Sequence, residues 1–160
     1  MNLAIRRAVP TDETVLVEFN LAIAWETEHK RLNRDVLTVG VRAVFADAAR
    51  GFYTVAENDR GEVVGQMMVT YEWSDWRNGW FWWVQSVYVR ADTRRSGVFR
   101  ALYREIERQA AANPNVIGLR LYFDRDNTRA QSTYRALGMS DTNYGMMEVY
   151  PLRGRKSDVE

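Results

Sequence analysis

Apolar and polar positions repeat with two different periods along the chain, and the switches between them mark out the elements. Residues 3–7 read as a short strand, and Pro10, Thr11, Asp12 and Glu13 supply a helix start with a capping hydroxyl and acids in the first turn. Val15, Leu16, Phe19, Ala22 and Ile23 share one face at helical spacing, which predicts a first helix to about residue 27; a second is expected over about 35–49, before Gly51. From Phe52 the period drops to two. Residues 52–56 are strand-like, 58–61 form a hairpin turn, and 62–73 make a long strand. Asn78-Gly79 turns the chain into an aromatic and β-branched strand over 80–89. A polar loop, 90–97, enters a helix over about 98–112, which Asn113-Pro114-Asn115 stops. A strand over 116–123, a helix over 127–137 ended by Gly138, and a last strand over 144–150 complete the order. The pattern predicts an α+β fold: a mixed, mostly antiparallel sheet of about six to seven strands flanked by about four helices. Residues 1–152 are expected to form one domain and 153–160 a polar tail.

Composition narrows the chemistry. The 160 residues include 22 basic and 21 acidic side chains, a net charge of +1, which argues against phosphate-backbone binding as the main work. No nucleic-acid partner is expected. With no cysteine and a single histidine, His29, thiol catalysis, thiolate metal sites and multi-histidine zinc sites drop out, so no metal is expected. Arg6 and Arg7 follow only three apolar side chains, and no apolar run approaches the roughly twenty residues of a membrane span. The expected setting is cytoplasmic, without a membrane partner.

Two constellations carry the candidate chemistry. In the first, the strand ending in Val87 and Val89 runs into Arg94-Arg95-Ser96-Gly97-Val98-Phe99-Arg100 and a helix. A glycine loop entering a helix presents unpaired backbone N–H groups and the positive end of the helix dipole, where a pyrophosphate can sit. Arg94, Arg95 and Arg100 would reinforce such a site. In the second, Asn127 and Tyr134 lie seven residues apart, about two helical turns, so both fall near one helix face with Ala130 between them.

Together, from about Gln85 to Met139, these segments resemble the acyl-CoA site of the GNAT superfamily of N-acetyltransferases, and the element order matches over nearly the whole chain. The family loop runs from a basic or Gln residue through two variable positions to Gly, one variable position, and Gly or Ala. Arg94 and Gly97 fit it; Phe99 departs from it, and must either point its ring away from the phosphates or change how the loop holds the cofactor. The resemblance implies acetyl-CoA as co-substrate, held by the backbone of Val87 and Val89, the loop from Arg94 to Arg100, and Asn127, Ala130 and Tyr134. It implies that the Val87 N–H polarises the thioester carbonyl, in a strand that diverges from its neighbour, and that Tyr134 protonates the departing thiolate. It also admits a homodimer.

The base that would take the amine proton is missing from its expected place. Strand alternation puts Phe81, Trp83, Gln85 and Val87 on one face and Trp82, Val84, Ser86 and Tyr88 on the other. Trp83 and Gln85 fill the expected positions, and neither titrates usefully, so the proton must leave through water held by Gln85 or through a carboxylate from elsewhere. Glu26, Glu28 and Glu72 are the candidates, with Trp25 in the same helix-end segment. Trp73 and Trp76, beside Glu72 and Asp75, can form an aromatic, acidic wall for an ammonium group. The reading favoured is direct attack by a primary amine in a ternary complex, with a small-molecule acceptor ahead of a peptide or protein. Phe99 and the absent base support the alternative, a non-catalytic acyl-CoA-binding or sensing module.

Overall fold

In the computed structural model, residues 2–155 are described. Packing groups the described residues through Arg120 into one compact unit and residues 121–155 into a second.

In the first unit, β1 (Ala4–Arg7) leads through a short turn into α1 (Glu13–Glu28) and α2 (Arg34–Ala46). Then come β2 (Phe52–Glu57), β3 (Val63–Ser74), β4 (Gly79–Val89), α3 (Val98–Ala112) and β5 (Val116–Leu121). The sheet order is β1-β2-β3-β4-β5, with the first three pairings antiparallel. β5 runs parallel to β4, since Gly79 meets Ile117, Phe81 meets Gly118 and the Arg120 guanidinium lies 3.6 Å from the Phe81 ring centre. Their N-terminal ends are joined where the Trp80 N–H donates to the Asn115 carbonyl at 2.8 Å.

The two faces of the sheet are covered differently. Leu16, Val17, Val41 and Val44 of α1 and α2 pack with Tyr53 and Val55 of β2, and Met68 of β3 joins them. On the other face Gly65 lets α3 approach so closely that a Cβ there would lie 2.7 Å from Val98 Cγ1. Val98, Leu102 and Ile106 are accordingly buried; each such side chain contributes on the order of 1.5–3 kcal/mol.

A half-buried ion pair fastens the N-terminal turn. Arg6 Nη1 and Nη2 reach Asp12 Oδ2 and Oδ1 at 2.7 and 3.0 Å, and the Val9 N–H also donates to Asp12 Oδ2 at 2.8 Å. Asp12, rather than the expected Thr11 hydroxyl, therefore caps this turn, and α1 starts at Glu13 without a side-chain cap. Burial raises the Asp12 pKa, but the Arg6 and Val9 bonds outweigh it and leave the carboxyl below its ordinary value. A depressed folded value makes this stability complete above the unfolded pKa of about 3.9 and lost as pH falls through the lower folded one. Asp12→Asn is expected to cost roughly 2 kcal/mol at pH 7 and to flatten the fall of stability below about pH 4. Urea titrations across that range would check both, and an unchanged acid slope would remove Asp12 from the linkage.

In the second unit, α4 (Thr128–Ala136) is capped at both ends. Asn127 Oδ1 accepts from the Ala130 N–H at 3.0 Å. Gly138 takes φ 95°, while the N–H groups of Gly138 and Met139 donate to Arg135 and Tyr134 carbonyls at 3.0 and 3.1 Å, a paired C-terminal stop. The last strand expected over 144–150 does not form: its residues have no regular secondary structure, with Tyr144, Met146, Met147, Val149 and Tyr150 exposed. Aromatic and apolar residues suit a run to a ladder but supply no partner for it. Among the described residues the sheet consequently has five strands, not six to seven. Residues 156–160 of the expected polar tail lie outside the described residues.

Candidate active site

The site grows from an irregularity in β4. Gln66 pairs with Tyr88 but Met68 with Gln85, so Ser86 and Val87 together oppose the single residue Met67. Ser86 takes a left-handed φ of 47°, the mark of a bulge that lifts backbone groups out of the ladder. The bulge corrects the expected alternation. Tyr88 is returned to the face of Gln85, where its ring lies 4.8 Å from that of Phe19 on α1.

Beyond the bulge the chain turns sharply into α3. The Arg90 N–H donates to the Val64 carbonyl at 2.9 Å, a short turn follows, and Arg95 and Gly97 take φ of 67° and 88°. The first helical bond runs from the Ala101 N–H to the Gly97 carbonyl at 2.9 Å. The N–H groups of Val98, Phe99 and Arg100 precede it and have no intrahelical acceptor, and the first turn holds no acidic residue. Buried Val98 seats this turn against the sheet. Phe99, half-buried, lays its ring along the helix flank, 6.2 Å from that of Tyr103. Arg95 and Arg100 are exposed; the Ser96 hydroxyl donates to the Thr93 carbonyl.

Two carboxylates gather partners from distant segments. Glu26, near the end of α1, accepts from Arg94 Nη2 at 2.5 Å and from the Tyr88 hydroxyl at 3.1 Å, while Arg94 Nε donates to the Val89 carbonyl at 3.0 Å. The structure thus joins an expected acceptor residue to an expected cofactor residue. Glu72 on β3 accepts from Trp83 Nε1 at 2.5 Å and from Arg120 Nη1 at 2.9 Å. Burial pushes the Glu72 carboxyl up, but the bonds from Trp83 and Arg120 outweigh it and hold the pKa below the ordinary carboxylate value. Gln85 Nε2 donates to Thr70 Oγ1 at 2.7 Å on the same face.

Other expected residues are not brought together. Glu72 and Trp73 point to opposite faces of β3: Thr70 and Glu72 pair with Trp83 and Phe81, whereas Tyr71 and Trp73 pair with Trp82 and Trp80. Trp73 stacks edge-on against Trp80 at 5.0 Å, so it shares no wall with Glu72. Glu28 is exposed and paired with Lys30. Trp25 is exposed, with the Arg31 guanidinium 5.6 Å from its ring, beside a shallow cavity of about 330 Å³ that Leu21, Lys30, Arg31 and Leu32 complete.

Tyr88 and Arg120, which donate to Glu26 and Glu72, are residues that the pattern did not single out. For Arg120 a signal existed: a charge between Leu119 and Leu121 in an apolar strand asks for a partner. Among the described residues, no group of three or more His, Cys, Asp or Glu could hold a metal ion, and no helix is long and apolar enough to cross a membrane. In the second unit Tyr134 is half-buried, and burial pushes its phenol above the ordinary value, which keeps it protonated at neutral pH.

A bulged strand followed by an arginine-rich turn into a helix start without acidic residues offers backbone N–H groups and positive charge to an anion such as a pyrophosphate. The model of the acetyltransferase (GNAT) family matches residues 17–139, and the chain belongs to that family, as an acetyl-CoA-dependent acetyltransferase. It is 43% identical to a possible acetyltransferase from Clostridium difficile 630, over 93% of this chain and 97% of that one, with a TM-score of 0.86. More distant structures share the fold. A glucosamine-6-phosphate N-acetyltransferase from Arabidopsis thaliana is 14% identical over 94% of this chain and 99% of that one, TM-score 0.71. A ribosomal-protein-alanine N-acetyltransferase from Brucella melitensis biovar Abortus 2308 is 16% identical over 92% and 98%, TM-score 0.72. Comparison with the curated proteins gave no match.

Proposed function

We propose that this acetyltransferase moves the acetyl group to a primary amine of a small molecule, by direct attack within a ternary complex, in a cytoplasmic setting. The observation that carries the choice of an amine is the match to the acetyltransferase (GNAT) family. Glu72, on the face that Gln85 shares, is already paired with Arg120, so its carboxylate offers an amine hydrogen-bond acceptors and not an unbalanced negative charge.

In this reading the pyrophosphate of acetyl-CoA takes the N–H groups of Val98, Phe99 and Arg100 at the left-handed turn of Gly97, with Arg94, Arg95, Ser96 and Arg100 around it. The ring of Phe99 lies 6.2 Å from that of Tyr103, one turn further along the helix. Val87, Val89, Asn127 and Ala130 hold the pantetheine arm; the Asn127 Oδ1 already caps α4, so its amide nitrogen makes that contact. The amine nitrogen attacks the thioester carbon, whose oxygen the Val87 N–H polarises. The C–S bond breaks, Tyr134 gives its proton to the thiolate, and the ammonium proton leaves through water held by Gln85. Residues 1–152 are read as one domain here, supported by a family match over residues 17–139 that continues past Leu121. The absence of cysteine favours a single transfer step over a thioester on the protein.

Acetyl-CoA-dependent thiol release, read with a thiol reagent, tests the reading on a background free of protein thiols. Polyamines, amino acids, amino sugars and short peptides make the panel. Release is expected with one class of small amine. Release with peptides alone would overturn the acceptor assignment, and acetyl-CoA binding without release across the panel would favour an acyl-CoA-sensing role.

A further inference from the structure

Gln66 is a polar side chain in a place where an apolar one would pack as well. It sits on β3 between Gly65 and Met67, fully buried, on the face that carries Met68 and the α1 and α2 core. Its Nε2 donates to the Ser86 carbonyl at 3.1 Å. Its Oε1 is buried with no hydrogen-bond partner among the described residues. Reversing the amide would set two acceptor oxygens against each other, so the bond to Ser86 fixes its orientation. An amide that leaves one acceptor unsatisfied is a standing cost which methionine, of similar size, would not carry.

The bond lands on a particular peptide group. The Ser86 carbonyl and the Val87 N–H belong to the same planar trans unit and point in opposite directions. Ser86 is the left-handed residue of the bulge, so its carbonyl has left the regular ladder, and Gln66 supplies the donor that the ladder no longer does. A donor on the carbonyl side fixes the plane of the unit. It also draws electron density toward the oxygen, which strengthens the N–H on the far side, by about 10–30% in cooperative hydrogen-bond chains.

We infer that Gln66 is a positioning residue for acetyl transfer: it aims and polarises the Ser86–Val87 peptide so that the Val87 N–H is a fixed donor to the thioester oxygen. The inference rests on the proposed role of Val87. Isotope-edited infrared spectroscopy of acetyl-CoA labelled with ¹³C at the carbonyl reads that donor directly, without any acceptor amine. The bound carbonyl stretch is expected to move to lower frequency in the unsubstituted protein, and Gln66→Met to lose about half of that shift or more. Calorimetry should find the affinity for CoA itself within about twofold, because the substitution leaves the phosphate loop untouched. A full shift in Gln66→Met would overturn the inference while leaving Val87 in its role. No shift in the unsubstituted protein would remove Val87 as donor and Gln66 with it, and the family assignment would stand. A second measurement needs no variant. The side-chain amide resonances of Gln66 are expected to move with acetyl-CoA and not with CoA, and equal responses to the two would overturn the inference even if Gln66→Met fails to fold.

Discussion

Tyr134→Phe is expected to lower kcat about 100-fold while acetyl-CoA affinity stays within about twofold. The substitution removes one oxygen and keeps the ring on α4, so the half-buried packing is retained. What is lost is the proton donor. Burial holds the phenol above its ordinary pKa of 10.0, so the hydroxyl is in its donating form throughout the neutral range. A thiol is a fair leaving group even unprotonated, with a pKa near 8.5 for a cysteine-like sulfur, which sets the deficit at the lower end of general-acid effects. At 1.36 kcal/mol per tenfold, the loss corresponds to about 2.7 kcal/mol of transition-state stabilisation. The ratio of the two rates should stay level from about pH 6 to 9, because the raised phenol does not titrate there. Single-turnover thiol release with an active amine measures kcat, and calorimetry measures affinity. An unchanged kcat would remove Tyr134 from the proton path, and equal losses in rate and affinity would make it a binding residue.

What sequence discloses of this site follows from how local each feature is. Arg94, Gly97, Asn127 and Tyr134 stand out because their chemistry depends on spacing within one turn or one helix. The bulge at Ser86 has no comparable mark: serine is not a residue that favours left-handed backbone, and the irregularity exists only in the pairing of β4 with β3. Once the bulge is present, the face of Tyr88 reverses and the link from Tyr88 to Glu26 becomes available, which regular alternation forbids. Glu72 and Arg120 lie 48 positions apart and meet only because β5 runs beside β4. The separation of Glu72 from Trp73 is different, since a period of two already places consecutive residues on opposite faces. Reading both as one wall overlooks the strand they share. The run from 144 to 150 shows the converse, a composition fit for a strand with no ladder to receive it.

The same dependence of the site on strand register makes Gly51→Ala the substitution with the largest expected cost to stability. Gly51 precedes β2 with φ 130° and ψ −159°, a region that side chains hardly enter. A Cβ there would stand 2.1 Å from the Val69 carbonyl oxygen and 3.1 Å from its carbon. Both are backbone atoms of the neighbouring strand, so no side chain can swing aside. Strain in the dihedral alone costs about 1–3 kcal/mol, and relieving the clash must move Gly51 or β3. Together these set a loss of about 4 kcal/mol or more, a large share of the 5–15 kcal/mol typical of a domain. At about 2–4 °C per kcal/mol for a chain of this size, Tm should fall by roughly 10 °C or more. Gly61→Ala is the control: it too has a positive φ, 75°, but its Cβ would meet no atom within 4 Å. It should lose only about 1–2 kcal/mol, the left-handed penalty alone. Equal Tm losses in the two would place the cost in the dihedral and not in the clash with β3. Val69 pairs with Val84, next to Gln85, so a displaced β3 would also disturb the strand that carries the bulge. Gly51→Ala protein that remains folded at low temperature should therefore show weakened acetyl transfer, whereas folded Gly61→Ala should transfer as well as the parent, because its turn lies outside the site.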